Sequence, residues 1–149
     1  MDKKQDNKKL VKDLAESVIQ QIQSQQGSPK KIDNFIEKIF WVQNQGLFLH
    51  WQDMSGFKHE ILGKFYKEMN EKIDELVESY LGVFSMEALY VSDSMYKVEM
   101  ITTVQDYMKE TQKIFDSFRN SIDGISGLTN VIDDILTIIE RTKYLLLKS

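Results

Sequence analysis

Cysteine is absent from this 149-residue chain, and proline occurs once. Without thiols there is no disulfide framework, no thiolate zinc site and no cysteine nucleophile. A single proline and seven glycines exclude a collagen-like or proline-rich chain. Histidine is almost as scarce. There are two, so any imidazole chemistry rests on His50 and His59. Apolar stretches are interrupted every few residues, too often for a helix that spans a bilayer. The start, Met1-Asp2-Lys3-Lys4-Gln5-Asp6, is charged with no apolar run behind it, unlike a secretory signal. These absences lead us to expect a soluble cytoplasmic protein without a membrane partner.

What is present is apolar enough to fold: 42% of residues are hydrophobic and 28% charged. That balance argues against wholesale disorder, and the length suits one domain with a real core. The net charge of −4 is unevenly spread. Residues 1–31 hold seven lysines and four acids, and the remainder twelve basic and nineteen acidic groups. An acidic body does not draw nucleic acid to itself. A DNA contact would fall on Lys3, Lys4, Lys8, Lys9 and Lys12, against the plainer reading of a solvated helix face.

Lysine, glutamate, glutamine, leucine, isoleucine and methionine dominate, which favours helix. Leu10, Leu14, Val18 and Ile22 recur at helical spacing and predict an amphipathic helix over about 8–25, stopped by Gly27-Ser28-Pro29. Ile32, Phe35, Ile36, Ile39, Phe40, Gln43, Leu47 and Trp51 read as one stripe of a helix over 31–52. Asp53-Met54-Ser55-Gly56 turns the chain, with Asp53 or Ser55 as N-cap. Ile61, Phe65, Met69, Ile73, Leu76 and Tyr80 line a helix over 57–81, with Gly82 as the residue after its end. A connection over 83–93 follows, with a short helix at 86–90. Met95, Val98, Ile101, Val104, Met108, Phe115 and Phe118 predict a helix over 94–121. Gly124 to Gly127 breaks it, and a last helix over 129–147 carries Val131, Ile132, Ile135, Ile138, Ile139, Thr142, Leu145 and Leu146.

Four long helices pack side by side. The expected fold is therefore all-α: a ferritin-like four-helix bundle with one long crossover and an extra N-terminal helix. Its divisions would be 1–30, helix and linker, and 31–149, the bundle. No strand-period segment and no internal repeat stand out.

Both histidines fall at the ends of one tight hairpin. Asp74 and Glu78, four apart, share a face of the next helix at the edge of its apolar stripe. Two imidazoles and two carboxylates suit a borderline divalent ion such as iron, zinc or manganese. Asp74 lies fifteen positions after His59, roughly 22 Å along a helix at 1.5 Å per residue. One subunit cannot bring both to one ion, whereas a symmetric partner with an antiparallel copy of that helix can. Plainer roles stand beside this. His50 would cap a helix or sit at the core edge, and His59-Glu60 would be a first-turn pair. Asp74 and Glu78 would pair with Lys67, Lys72 or Arg141 on a solvated face.

Leu49-His50-Trp51-Gln52, Ser55-Gly56, His59-Glu60 and Ile73-Asp74-Glu75-Leu76-Val77-Glu78 together resemble the Dps family, the starvation-induced DNA-binding mini-ferritins. The likeness covers about 31–147 and is strongest over 47–82. It implies a homo-oligomer, a two-fold dimer or a twelve-subunit shell. It also implies iron held between subunits by His50 and His59 of one chain with Asp74 and Glu78 of its mate. Ferrous iron would there give electrons to peroxide or oxygen, with no catalytic group apart from the metal ligands. Trp51 and Glu60 would stand near the site. The family places an acid one turn after the second histidine, where this chain has Gly63, leaving the gap to Glu60, water or nothing. The hairpin between the histidines is also short for the family. No Glu-x-x-His pair occurs, which excludes the intrasubunit di-iron site of larger ferritins. Dps-like proteins also occur in phage genomes. The alternative is therefore a non-catalytic structural or assembly protein on the same bundle, virion-associated if phage-encoded.

Overall fold

In the computed structural model residues 29–53, 55–85 and 103–149 are described, and every regular element among them is an α-helix. Packing divides the chain into Met1–Ile32 and Asp33–Ser149. The expected helices over 8–25 and 86–90, and the lysines from Lys3 to Lys12, lie outside the described residues. The helices are α1, Pro29–Gln52; α2, Gly56–Val83; α3, Val104–Ser121; and α4, Ser126–Leu147. No helix among the described residues is long and apolar enough to cross a membrane.

Each helix pairs with its neighbours in opposite senses. Gln43 of α1 donates to Asn70 of α2 at 3.0 Å, and His50 stacks on His59. Phe35 meets Phe115 and Phe118 of α3, while Trp41 meets Tyr107 nearer the start of α3. Lys72 of α2 reaches Asp134 of α4, and Glu68 accepts from Arg141. Arg119 of α3 binds Asp133, and Lys143 donates to Gln112. The pairs α1–α2, α1–α3, α2–α4 and α3–α4 are thus all antiparallel. It follows that α2 and α3 run in the same direction.

The core follows from the sequence stripes. All six expected inner residues of α2 are buried, as are Val104, Met108, Phe115 and Phe118 of α3 and Val131 to Thr142 of α4 at the expected spacing. Phe115, Leu128, Ile132, Ile135 and Ile139 are shut off from solvent. Each such side chain contributes about 1.5–3 kcal/mol through apolar burial.

Three boundaries differ from expectation. Of the helix expected over 94–121, residues 94–102 lie outside the described residues, and α3 begins at Val104, where Thr103 is extended and caps it. The Thr103 hydroxyl oxygen accepts from the Asp106 amide at 3.1 Å and its proton goes to the Asp106 carboxylate at 2.6 Å. This reciprocal cap satisfies a helix-start amide that continuing the helix would not free. Gly82 does not end α2. The helix runs through it to Val83, and Ser85 takes the positive φ instead. Finally, α4 begins at Ser126, where the Thr129 hydroxyl donates back to the Ile125 and Ser126 carbonyls.

The phase of α1 also differs. Phe35, Ile36, Ile39, Trp41, Val42, Gln45 and Leu49 are inside, whereas Phe40, Phe48 and Trp51 are 46%, 44% and 57% exposed. Gly46 explains how this phase is held. Tyr107, buried on α3, donates its hydroxyl to the Val42 carbonyl at 2.6 Å. That carbonyl already accepts the amide four residues on, which is Gly46. A β-carbon at Gly46 would stand 2.6 Å from the Tyr107 oxygen. The missing side chain leaves the helix carbonyl open to a second donor.

Candidate metal centre

The hairpin between α1 and α2 is built from its own polar groups. The Asp53 amide donates to the Leu49 carbonyl at 3.1 Å, closing the last turn of α1. The Asp53 carboxylate receives the Ser55 amide at 3.1 Å and the Ser55 hydroxyl, with Lys58 at 3.5 Å. These contacts, the Ser55 hydroxyl foremost, hold Asp53 below the ordinary carboxylate range. Ser55 is the N-cap of α2 in position, but its hydroxyl is spent on Asp53.

Across this turn the two imidazoles lie nearly parallel, 4.0 Å between centroids and 21° between planes. Their hydrogen bonds are reciprocal. His50 Nδ1 is 3.2 Å from the His59 carbonyl, and His59 Nδ1 is 2.9 Å from the His50 and Asp53 carbonyls. A carbonyl oxygen only accepts, so each Nδ1 carries the proton. With the proton on Nδ1, each Nε2 is the lone-pair nitrogen of the ring, the atom that could coordinate a metal. A carbonyl fixing one imidazole nitrogen while the other serves as ligand is the usual outer arrangement of metal-binding histidines. His59 also satisfies two carbonyls at the end of α1, those of His50 and Asp53.

Both rings border an open groove of about 610 Å³, together with Trp51, Glu60, Gly63 and Lys67. Trp51 stands edge-on to Phe48, centroids 5.9 Å apart. Leu47, Lys64 and Tyr66 complete the lining, and the histidine motif did not point to these or to Lys67. Glycine in a helix interior was the available signal for Gly63. His50 fills the space there: a β-carbon on Gly63 would lie 2.8 Å from His50 Cε1.

Asp74 and Glu78 are exposed on α2, well beyond the histidine end. Lys72 is engaged by Glu75 at 2.8 Å and Asp134 at 3.0 Å, which raises its pKa, and Arg141 by Glu68. Among the described residues of the single chain, no three or more histidine, aspartate or glutamate side chains converge on a metal position. The structure thus brings His50 and His59 together and keeps Asp74 and Glu78 apart from them.

No curated protein and no solved structure matches the chain. A family model matches residues 50–146, from the first histidine through nearly all of α4. The match covers more than half of the sequence, and the chain belongs to the family described as a family of unknown function, DUF5856.

Proposed function

We propose that this chain is a Dps-like, ferritin-like bundle that binds ferrous iron at a site completed between two protomers. The observation that carries the reading is the imidazole pair whose Nδ1 atoms are spent on backbone carbonyls, leaving two Nε2 donors beside an open groove. Helix directions give further support. Two antiparallel hairpins whose middle helices run the same way need one long return, the connectivity of ferritin-like bundles.

The acids enter from the partner. At about 100° per residue, Glu60, Gly63, Lys67, Asp74 and Glu78 lie on one side of α2. A two-fold axis crossing α2 near Lys67 would set position 59 of one copy against 74–78 of the other. Exposure of Asp74 and Glu78 leaves them available for this. Iron would be the substrate, and peroxide or dioxygen the electron acceptor. Two ferrous ions supply the two electrons that peroxide takes.

The second reading is an assembly module without metal chemistry. It is favoured by the exposed aromatics of α1 and by the absence of a three-ligand group within the described residues of one protomer. Anaerobic Fe(II) titration of the purified protein, followed by peroxide, separates the two. The iron reading expects saturable binding and oxidation, both lost in Asp74→Ala/Glu78→Ala and in His50→Ala/His59→Ala. Equal oxidation by wild type and both variants overturns it. Light scattering on the same samples reports self-association, which the assembly reading expects to survive every one of these changes.

A further inference from the structure

We propose that Gly63 is a positioning residue: its missing side chain is the seat of the His50 imidazole and so decides which nitrogen of that ring is offered to a ligand. The inference about ligand binding rests on the metal reading above, whereas the seat itself rests on packing.

The argument begins with a cost. Glycine inside a helix is the least favourable residue there apart from proline. Gly63 sits a full two turns into the 28-residue helix α2, among good helix formers. Such a glycine needs a packing reason. Helical glycines elsewhere, Gly82 and Gly127, would meet nothing within 4 Å if given a β-carbon. Gly63 would meet three atoms of one ring: His50 Cε1 at 2.8 Å, Nδ1 at 3.3 Å and Nε2 at 3.6 Å.

The hydrogen bond shows why the ring lies so close. His50 Nδ1 donates to the carbonyl of His59, and the helical partner of that carbonyl is the amide four residues on, which is Gly63. A side chain at position 63 would cover the oxygen from that side. The same device recurs at Val42, whose carbonyl takes the Tyr107 hydroxyl over Gly46. In both cases a glycine four residues after a carbonyl opens it to a side chain from another helix. At Gly46 the device fixes the core. At Gly63 it fixes an exposed-edge imidazole in the Nδ1–H form.

A consequence for the ligand follows. Position 63 cannot hold both a carboxylate and a seated His50. The chain's own contribution is two imidazole nitrogens, a set that selects borderline ions such as Fe(II), Co(II) or Zn(II) over Mg(II) or Ca(II).

Gly63→Ala, His50→Ala and the double variant of the full chain test this. Gly63→Ala alone should lower Tm, because the β-carbon evicts the ring. In the His50→Ala background the same change should raise Tm by about 3 °C, as an ordinary Gly→Ala helix substitution does. Long-range ¹H–¹⁵N spectra should show His50 with a protonated Nδ1 in wild type, lost in Gly63→Ala while other helix signals persist. Co(II) titration followed by its visible absorption should show binding weakened about ten- to a hundred-fold by Gly63→Ala, the usual effect of disturbing an outer-shell contact. Failure of Gly63→Ala to fold alone, with a stable double variant, is eviction at its largest and supports the seat. An equal Tm change in both backgrounds, or an unmoved His50 spectrum, overturns it. If wild type binds no Co(II) or Fe(II) while the Tm cycle holds, the seat stands and the metal reading falls.

Discussion

Gly46→Ala is an informative single substitution in the bundle because two effects of known sign oppose each other. Replacing an interior helix glycine by alanine is worth up to about 1 kcal/mol of stability. Here the new β-carbon would stand 2.6 Å from the Tyr107 hydroxyl, which is itself 2.6 Å from the Val42 carbonyl. The hydroxyl must leave its acceptor, and Tyr107 is buried. Losing that bond costs about 1–3 kcal/mol, and pressing extra volume against a close-packed ring adds about 1–3 kcal/mol. The net expectation is a loss of about 1–5 kcal/mol. Tyr107→Phe removes the obstacle. The next atom is then the ring carbon Cζ at 3.4 Å, an ordinary contact. Tyr107→Phe alone should cost about 1 kcal/mol, since the Val42 carbonyl keeps its helical amide. Gly46→Ala added to it should be neutral or stabilising. Urea unfolding of all four proteins, followed by helical circular dichroism, gives the coupling energy, expected at about 2–6 kcal/mol. A coupling below about 0.5 kcal/mol, the scatter of independent sites, would refute the claim that glycine is there to admit the hydroxyl.

Two further outcomes follow from the surface and the caps. Thr103→Ala should cost about 1 kcal/mol in the same unfolding assay, and Thr103→Ser should restore most of it, because the cap needs the hydroxyl and not the methyl group. Arg119 holds the Asp133 carboxyl below its ordinary value, and Ser55 does the same for Asp53. Groups with lowered folded pKa values stabilise the protein above the unfolded value near 4, and that contribution disappears as pH falls through the folded values. Thermal midpoints measured from pH 6 to pH 2 should therefore fall more steeply for wild type than for Asp133→Asn.

The periodicity of α2 and α4 was readable because each has one apolar stripe against a polar background. Ile61 to Tyr80 and Val131 to Thr142 are buried as their spacing requires. In α1 the pattern fails for a physical reason. Ile39, Phe40, Trp41 and Val42 follow one another, as do Leu47, Phe48 and Leu49, so the helix is apolar most of the way round. Two stripes fit, and the one chosen by spacing ran through Phe40 and Trp51, which face outward. The true inner face passes through Gln45 and Gly46, residues that look unlike a core until both are found buried and Tyr107 is seen against Gly46. The start of α3 was likewise hidden, because Thr103-x-x-Asp106 competes with an apolar pattern that continues past it. At the site, the pairing of His50 with His59 was legible from the short hairpin. Their reciprocal carbonyl bonds were not, since they depend on which backbone groups the turn leaves open. The vacancy at Gly63 read as a missing ligand, whereas the structure fills it with a neighbour's ring.

The shared direction of α2 and α3 also bears on how the chain reaches its native state. Each hairpin, α1 with α2 and α3 with α4, closes through a connection of a few residues and can zip up from nearby partners. The pairs that join one hairpin to the other are separated by 62, 65 and 73 positions along the chain, at Lys72–Asp134, Val42–Tyr107 and Glu68–Arg141. The entropy of closing loops that long falls on one event, the docking of two pre-zipped halves. Contact-order reasoning then makes that docking, rather than helix growth, the step that limits the speed of folding. Substitutions at the seam, such as Tyr107→Phe, should therefore slow refolding more than equally costly changes inside either half.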